Sequence, residues 1–442
     1  MTQSPHFVIC FTEKEHRMPH FIQNKLASPV FLTFILALVA MPLAVMSTQS
    51  VPSPLFYFLL VLSLFIVVAL RPAQSTFRLK TFSWLFALCA VFVVAVVVSE
   101  LVNDRSDGAG FEKALRFSAG LPLLVAACCY VPRHWLSYSV FGVYAALVFA
   151  IVFIVYLALP DFIRPETSAV YNAVGYGDLT FLLSVITLYS CNVTFTRFAR
   201  TEKILKIILG ILGIAAFVLT QTRSGWVAVP FFLLFGIMIH MRENNRMKLA
   251  GVFLVGLVLA AAVTLTIPGI KDRVQLGEKE FKECITTDRT KLSSICIRLQ
   301  LWRSTIAIWE ENPLFGSGAN NYFSEFMKTD GVQRGLVSEV VANQWGEPHN
   351  DWLQALSSYG LFGVLGLFLL YFAPAAVFIK RMLRTTNEEL RTYAAMGAAV
   401  CVGFAVFGLS ELMFRGLRTM GFYTVIVAVY LALSTRIRGV EH

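Results

Sequence analysis

The sequence predicts an all-α protein that crosses a membrane many times, and three observations lead to that prediction. First, 57% of the 442 residues are hydrophobic and only 14% are charged, whereas soluble domains carry roughly 25% charged residues. Second, the apolar residues fall into runs of about 18 or more, the length at which a helix spans a bilayer. Third, basic residues concentrate in alternate connections between those runs, as they do in polytopic membrane proteins.

Twelve apolar runs are long enough to be membrane-spanning helices. They lie at 28–47, 52–70, 80–99, 114–130, 135–159, 172–196, 203–220, 224–241, 247–267, 357–379, 392–410 and 416–434. The run 172–196 is the weakest because it contains Asp178, and a charge at the centre of a spanning helix costs about 2.5–3.5 kcal/mol. We therefore expect Asp178 near an end of its helix.

These spans divide the chain into five parts. Residues 1–27 form an N-terminal tail, 28–267 hold spans one to nine, 268–356 form a long helical segment, 357–434 hold spans ten to twelve, and 435–442 form a C-terminal tail. The first 27 residues are too polar for a signal peptide, so we expect 28–47 to be a permanent span.

The distribution of charge predicts the orientation. The two tails and alternate connections together carry twenty lysines and arginines against seven acidic residues, whereas the rest of the chain carries seventeen against twenty. By the positive-inside rule both termini are cytoplasmic and residues 268–356 lie on the outer, periplasmic face. The formal net charge of +10 is thus a consequence of topology and does not indicate nucleic-acid binding.

One helix of the outer segment shows an apolar stripe. Its members recur at a period near 3.6 residues and are Ile295, Leu299, Trp302, Ile306 and Trp309. The stripe allows two overlapping interpretations: a helix that lies along the membrane surface, or a helix packed on top of the bundle. Asn312–Pro313 ends this helix, and a glycine-rich turn follows at 316–318.

Two of the eight cysteines, Cys284 and Cys296, lie on the predicted outer face. An oxidising periplasm permits a disulfide between them. Two free thiols are the alternative.

Arg223 and Arg298, on the predicted outer face, are the arginines considered first as ligands. A helix that opens at Ser224 would present free N–H groups, and Arg223 beside it would complete an anion site; the alternative is an arginine that reaches the membrane interface. Arg298 lies one turn before Trp302, and by itself would be a solvated charge. Arg116, near the start of the span 114–130, is a further candidate lining residue.

His349 is the only one of seven histidines on the predicted outer face. Pro348 precedes it, and Asn350 or Asp351 can cap the helix that follows. An imidazole near a helix N-terminus is biased toward its neutral form, which a general base requires. A nearby Glu347 would oppose that bias.

Three segments on the predicted outer face carry a family resemblance. They are Thr222–Trp226, Arg298–Trp302 continued by Asn312–Gly318, and Pro348–Gln354. With these segments in this order, the chain resembles the O-antigen ligase and polymerase superfamily of bacterial envelope glycosyltransferases. The resemblance also covers the architecture, about twelve spans with a long periplasmic segment late in the chain, and implies a GT-C-like fold. In ligases of this family, the two arginines and the histidine at these positions are essential.

The resemblance implies an inner-membrane O-antigen ligase. Such an enzyme transfers polysaccharide, with inversion, from undecaprenyl diphosphate to lipid A-core oligosaccharide among the membrane lipids of the periplasmic face. His349 would be the general base, and Arg223 and Arg298 would hold the diphosphate. Because two arginines can replace a divalent metal and no close acidic cluster is seen, we expect neither metal nor cofactor.

Supporting roles are expected for the neighbours of these residues. The candidates are Ser224, Trp302, Asn350, Glu347 and Arg116. Glu347, Asp351 and Glu411 could each orient the histidine, and the sequence does not select among them. Two alternatives remain open: an O-antigen polymerase that joins two lipid-linked repeats, and a flippase or transporter of lipid-linked glycan. A transporter would predict charged residues or broken helices at mid-membrane.

Overall fold

A computed structural model describes residues 20–70, 82–105, 108–159, 164–165, 168, 170, 172–240, 268–286, 290–318, 322–414 and 416–435, with single residues of 248–258. Residues 1–19 of the predicted tail 1–27, residues 436–442 of the predicted tail 435–442, and most of the predicted ninth span at 247–267 lie outside these residues.

The described residues form an all-helical, multi-pass membrane protein, which confirms the predicted fold class. We number the α-helices in chain order: α1 His20–Ser47, α2 Pro52–Ala69, α3 Ser83–Asn103, α4 Gly108–Tyr130, α5 Arg133–Ser137, α6 Phe141–Ala158, α7 Ala173–Tyr189, α8 Ala199–Leu219, α9 Val229–Ile239, α10 Pro268–Thr286, α11 Ser294–Glu311, α12 Tyr322–Phe326, α13 Glu339–Gln344, α14 Asp351–Arg384, α15 Glu388–Phe407 and α16 Leu417–Leu433.

Eight candidate spans among the described residues are long and apolar enough to cross a bilayer. Two shorter apolar helices, Ser224–Ile239 and Arg418–Leu433, coincide with the predicted spans 224–241 and 416–434. α8 occupies the predicted span 203–220, and its first turns are charged because they contain Glu202 and Lys206.

The core lies at the centre of the bundle, around α15. Every residue of this helix from Leu390 to Phe407 is buried, and α15 packs against α14, α16, α9 and α7. Its alanines and glycines permit close approach of neighbouring helices, which is how spanning helices associate without a hydrophobic driving force. Apolar side chains on α1, α2 and α3, such as Leu36, Val68 and Leu101, remain exposed, as expected of helices that face lipid.

α10 and α11 form a covalently closed hairpin. Cys284 and Cys296 are bonded, with an S–S distance of 2.08 Å and a Cα–Cα distance of 5.5 Å. α11 in turn packs on α14. A small second core, centred on Leu301, Ile308 and Phe326, holds the rest of this segment together.

The glycine-rich turn predicted at 316–318 packs against a kink in α14. Gly316 has φ +68° and Gly360, at the kink, has φ +65°. The backbone N–H groups of Ser317 and Gly318 donate to the carbonyls of residues 357 and 358. A Cβ on Gly316 would lie 2.5 Å from the backbone of α14. Both glycines are therefore required for this contact between the turn and the kink in α14.

Candidate functional site

His349 lies just before Asn350, the N-cap of α14, in a backbone conformation that few non-glycine residues adopt. Its φ is +50°, and non-glycine residues at positive φ cost energy that the surrounding structure must offset. Asn350 is the N-cap: its Oδ1 accepts from the N–H groups of Trp352 and Leu353 at 2.9 and 3.0 Å. The predicted cap is confirmed, with Asn350 as the capping residue.

Two further hydrogen bonds fix this turn from opposite sides. The indole Nε1 of Trp302 on α11 donates to the carbonyl of Pro348 at 3.1 Å. The Asn350 side-chain N–H donates to the carbonyl of Leu409 at 2.8 Å. His349 is thus held between α11 and the connection from α15 to α16.

The Asp351 side chain also stabilises the connection from α15 to α16. Its buried carboxylate accepts from the Tyr371 hydroxyl at 3.0 Å and from the N–H groups of Met413 and Phe414 at 3.1 Å. Its own N–H donates to the carbonyl of Gly408 at 2.7 Å. Of the three acidic residues considered for orienting the histidine, Asp351 therefore serves the backbone instead.

Glu411 and Glu347 are the carboxylates that reach the imidazole. His349 Nδ1 lies 3.5 Å from Glu411 Oε1 and 3.7 Å from Glu347 Oε1. Glu411 is fixed by donors on both oxygens: Asn172 Nδ2 reaches Oε2 at 3.2 Å, and the Leu412 N–H reaches Oε1 at 3.2 Å.

The environment of Glu411 favours its ionised form. Burial raises the pKa of the carboxyl, but the hydrogen bond and charge of His349, with the donors from Leu412 and Asn172, outweigh burial and hold this pKa below its usual range. A buried carboxylate next to Nδ1 stabilises an imidazolium and directs the other ring nitrogen, Nε2, away from it.

Asn172 is a residue that the sequence analysis missed. It caps α7 through its Oδ1, which accepts from the Val174 N–H at 3.1 Å, while its Nδ2 binds Glu411. An asparagine just before an apolar run is an N-cap signal, so its capping role could have been predicted from the sequence. Its second contact, to a residue more than two hundred positions later, was not.

The segment at Ser224 differs from the prediction. Ser224–Ala228 forms a short 3₁₀ helix, and its first groups are already bonded to Asp178 of α7. The Ser224 hydroxyl donates to the two carboxylate oxygens at 2.9 and 3.1 Å, and the Gly225 N–H also donates to this carboxylate. The expectation of free N–H groups was wrong, because the buried carboxylate requires donors. Asp178 lies within the first two turns of α7, near its end as expected.

The two candidate arginines lie around the α10–α11 hairpin. Arg298, half-buried in the first turns of α11, is near enough that its charge acts on the Asp178 carboxyl. Arg223 lies against α10: a Cβ added to Gly277 would be 2.4 Å from its Nη1. Asp178 therefore contacts the Arg223 segment through Ser224 and is also within the influence of the Arg298 charge.

Arg116 has a different environment from these residues. Its guanidinium donates to Ser53 Oγ at 2.8 Å, to the Tyr57 hydroxyl at 3.0 Å and to Glu112 at 2.7 Å. It also lies over the Tyr57 ring, 4.5 Å from the centroid. These contacts join α2 to α4, and the role of Arg116 as a lining residue stays a prediction.

A comparison with known families matches the segment that contains the two arginines and the histidine. Residues 208–368 match the family model described as "O-Antigen ligase". This range contains Arg223, Arg298 and His349. Over this segment the chain is similar to the O-antigen ligase family. Glu411 lies beyond the matched O-antigen ligase segment, on the connection that closes over His349.

A second comparison finds a relative of unknown activity. The chain is 24% identical over 204 residues to an uncharacterized protein of Haemophilus influenzae. The match covers 46% of this chain and 49% of that protein, so the chain spans about half the length of the relative it matches.

Among the described residues, no group of three or more histidine, cysteine or acidic side chains is arranged to hold a metal ion.

Proposed function

We propose that this protein is an O-antigen ligase, which transfers O-antigen polysaccharide from undecaprenyl diphosphate to lipid A-core oligosaccharide. The reaction takes place at the periplasmic face of the inner membrane, and both termini are cytoplasmic. The observation that carries the proposal is the pairing of His349 with Glu411, 3.5 Å apart, on a turn that is hydrogen-bonded to the helix bearing Arg298. The family match over 208–368 gives the reaction class.

His349 acts as the general base. Its Nε2 takes the proton of an acceptor hydroxyl while the oxygen attacks the anomeric carbon of the donor sugar. A new glycosidic C–O bond forms as the bond from that carbon to the diphosphate oxygen breaks, and the proton remains on the imidazolium. Glu411 stabilises the imidazolium through Nδ1, the role of the carboxylate in triads of this kind. Attack opposite the leaving group inverts the anomeric configuration.

Arg223 and Arg298 bind the diphosphate and offset the charge that develops on it. A hydrogen bond to a charged group contributes roughly 1.5–3 kcal/mol, and donors preorganised for developing charge contribute more. Ser224 and Asp178 hold the Arg223 segment in place through the bonds described above. With two guanidinium groups on the leaving group, the reaction needs no divalent cation and no cofactor.

A transfer assay with purified protein tests the proposal. Undecaprenyl-diphosphate-linked glycan and lipid A-core are mixed with the protein in the presence of EDTA, and products are separated by size. We expect capped lipid A-core. Glycan that lengthens on the lipid carrier without lipid A-core would instead indicate a polymerase. Movement of intact donor across vesicles, with no new glycosidic bond, would indicate a flippase.

A further inference from the structure

The apolar stripe of α11 does not form the buried face of that helix. The buried residues are Cys296, Gln300, Leu301, Ser304, Thr305 and Ile308. The stripe lies on another face, where Leu299 and Trp302 are half-buried and Ile306 is 37% exposed. Neither predicted arrangement describes this fully, because the stripe is partly covered by its own segment and partly open.

An open cavity of about 390 Å³ lies over this stripe. Its lining includes Leu299, Trp302, Ile306 and Leu336, with Arg303 and Glu310 as its charged members. The volume falls in the range of roughly 300–1,000 Å³ that is typical of ligand pockets. An apolar surface with an aromatic ring suits the C–H face of a pyranose. A guanidinium and a carboxylate provide donors and acceptors for its hydroxyl groups.

The cavity begins next to His349. Trp302 belongs to its lining and also donates its indole N–H to the Pro348 carbonyl at 3.1 Å. Along α11, Arg298 lies about 6 Å before Trp302, and Glu310 lies about 12 Å after it, at 1.5 Å per residue. The order along the helix is therefore a phosphate-binding arginine, the turn that bears His349, and the cavity.

We propose that this cavity binds the terminal sugars of the acceptor oligosaccharide. In-line displacement puts the acceptor oxygen and the departing diphosphate on opposite sides of the anomeric carbon. With the diphosphate at Arg298, the acceptor approaches from the side of Trp302 and Ile306. This assignment rests on the proposed function, because it takes Arg298 as a donor ligand and His349 as the base.

The kinetics of a double variant in the cavity test the assignment. This variant, Ile306→Ala with Glu310→Ala, is called the groove variant; it removes an apolar and a charged group from the cavity and leaves Trp302 in place. The matched control is Val340→Ala with Glu339→Ala on α13, where both side chains are exposed and lie outside the cavity lining. We expect the acceptor KM to rise about tenfold in the groove variant only. The donor KM, and the rate at saturating acceptor, should stay within about twofold of wild type.

Two kinetic outcomes would overturn the assignment. Equal acceptor KM values in the groove and control variants would mean that the cavity takes no part in acceptor binding. A rise in donor KM with an unchanged acceptor KM would mean that it holds the donor glycan instead.

A binding measurement separates this inference from the ligase proposal. The probe is core oligosaccharide released from lipid A by mild acid, titrated into detergent-solubilised protein in the absence of donor. We expect binding that weakens about tenfold in the groove variant and is unchanged in the control. If wild-type protein transfers nothing yet shows this pattern, the ligase proposal fails and the sugar site stands. If it transfers glycan but both variants bind the oligosaccharide equally, the sugar site fails. Equal sugar binding combined with weaker association of the groove variant with lipid vesicles would assign the stripe to the membrane surface.

Discussion

The imidazole Nδ1 of His349 lies 3.5 Å from Oε1 of Glu411, although the two residues come from different connections of the bundle. Glu411 belongs to the link between α15 and α16, and Asn172 at the start of α7 holds its other oxygen at 3.2 Å. The base and its carboxylate are therefore positioned by three separate parts of the chain. A pair that is fixed this way is preorganised, which a base needs if it is to act without rearrangement.

Replacing Glu411 should slow transfer and leave donor binding nearly unchanged. Glu411→Gln keeps the shape but removes the charge beside Nδ1, so the imidazolium loses its stabilisation. We expect kcat to fall about 10–100-fold, part of the roughly 10²–10⁴ that a positioned base contributes. Steady-state kinetics with varied donor checks this. The matched control is Glu347→Gln, which removes the carboxylate 3.7 Å from His349 Nδ1. It should lower kcat less than Glu411→Gln does. A larger effect at Glu347 would reverse the assignment.

The low pKa of Glu411 predicts how stability depends on pH. A carboxyl whose pKa is lower when folded stabilises the protein above its unfolded value, which is 4.5 for glutamate, and loses that contribution as pH falls through the folded value. Below about pH 5, the difference in unfolding temperature between wild type and Glu411→Gln should therefore shrink as the solution becomes more acidic. Thermal unfolding in detergent at several pH values measures it. A difference that grows on acidification would contradict the pKa direction.

A side chain at position 277 should disturb Arg223. A Cβ there would lie 2.4 Å from Nη1, which is too close, so the end of the arginine side chain must shift. Gly277→Ala is therefore expected to raise the donor KM about tenfold, because the guanidinium must move, while the acceptor KM stays near wild type. Leu276→Ala, at an exposed neighbour on α10, is the control. If both variants behave alike, the contact between α10 and Arg223 does not affect donor binding.

The disulfide should also affect donor binding, because it joins α11 to α10, the helix against which Arg223 lies. Cys284–Cys296 closes a short loop between α10 and α11, and a disulfide of this kind stabilises by about 2–4 kcal/mol. In Cys284→Ser with Cys296→Ser, we expect faster hydrogen exchange in α10 and a higher donor KM. Reductant should produce both effects in wild type and neither in the double variant. Unchanged exchange in α10 after reduction would mean that packing alone holds the hairpin.

Much of the fold and part of the site could be predicted because their signals are local. Apolar runs predicted the spanning helices, and the proline and asparagine around His349 predicted the start of α14. These signals need only a few neighbouring residues. The capping role of Asn350 is an example, since its hydrogen bonds join residues two and three positions apart.

Tertiary relationships were out of reach for the same reason. Nothing local separates Glu411 from Asp351 as the partner of His349, and only the packing of α14 against the 408–414 connection shows that Asp351 binds backbone N–H groups instead. Likewise, nothing local shows that the Gly225 N–H donates to Asp178, which lies on another helix. The apolar stripe of α11 had the period of a buried face, yet it lines a cavity because the segment packs on its other side.

The measurement that tests the central claim most directly compares donor binding with transfer in His349→Ala. The account predicts that this variant binds undecaprenyl-diphosphate-linked glycan within about threefold of wild type, because the diphosphate is held by Arg223 and Arg298. Transfer to lipid A-core should fall at least about 10²-fold, the lower end of what a general base contributes. Transfer at the wild-type rate by His349→Ala would contradict the assignment of the base and the mechanism built on it.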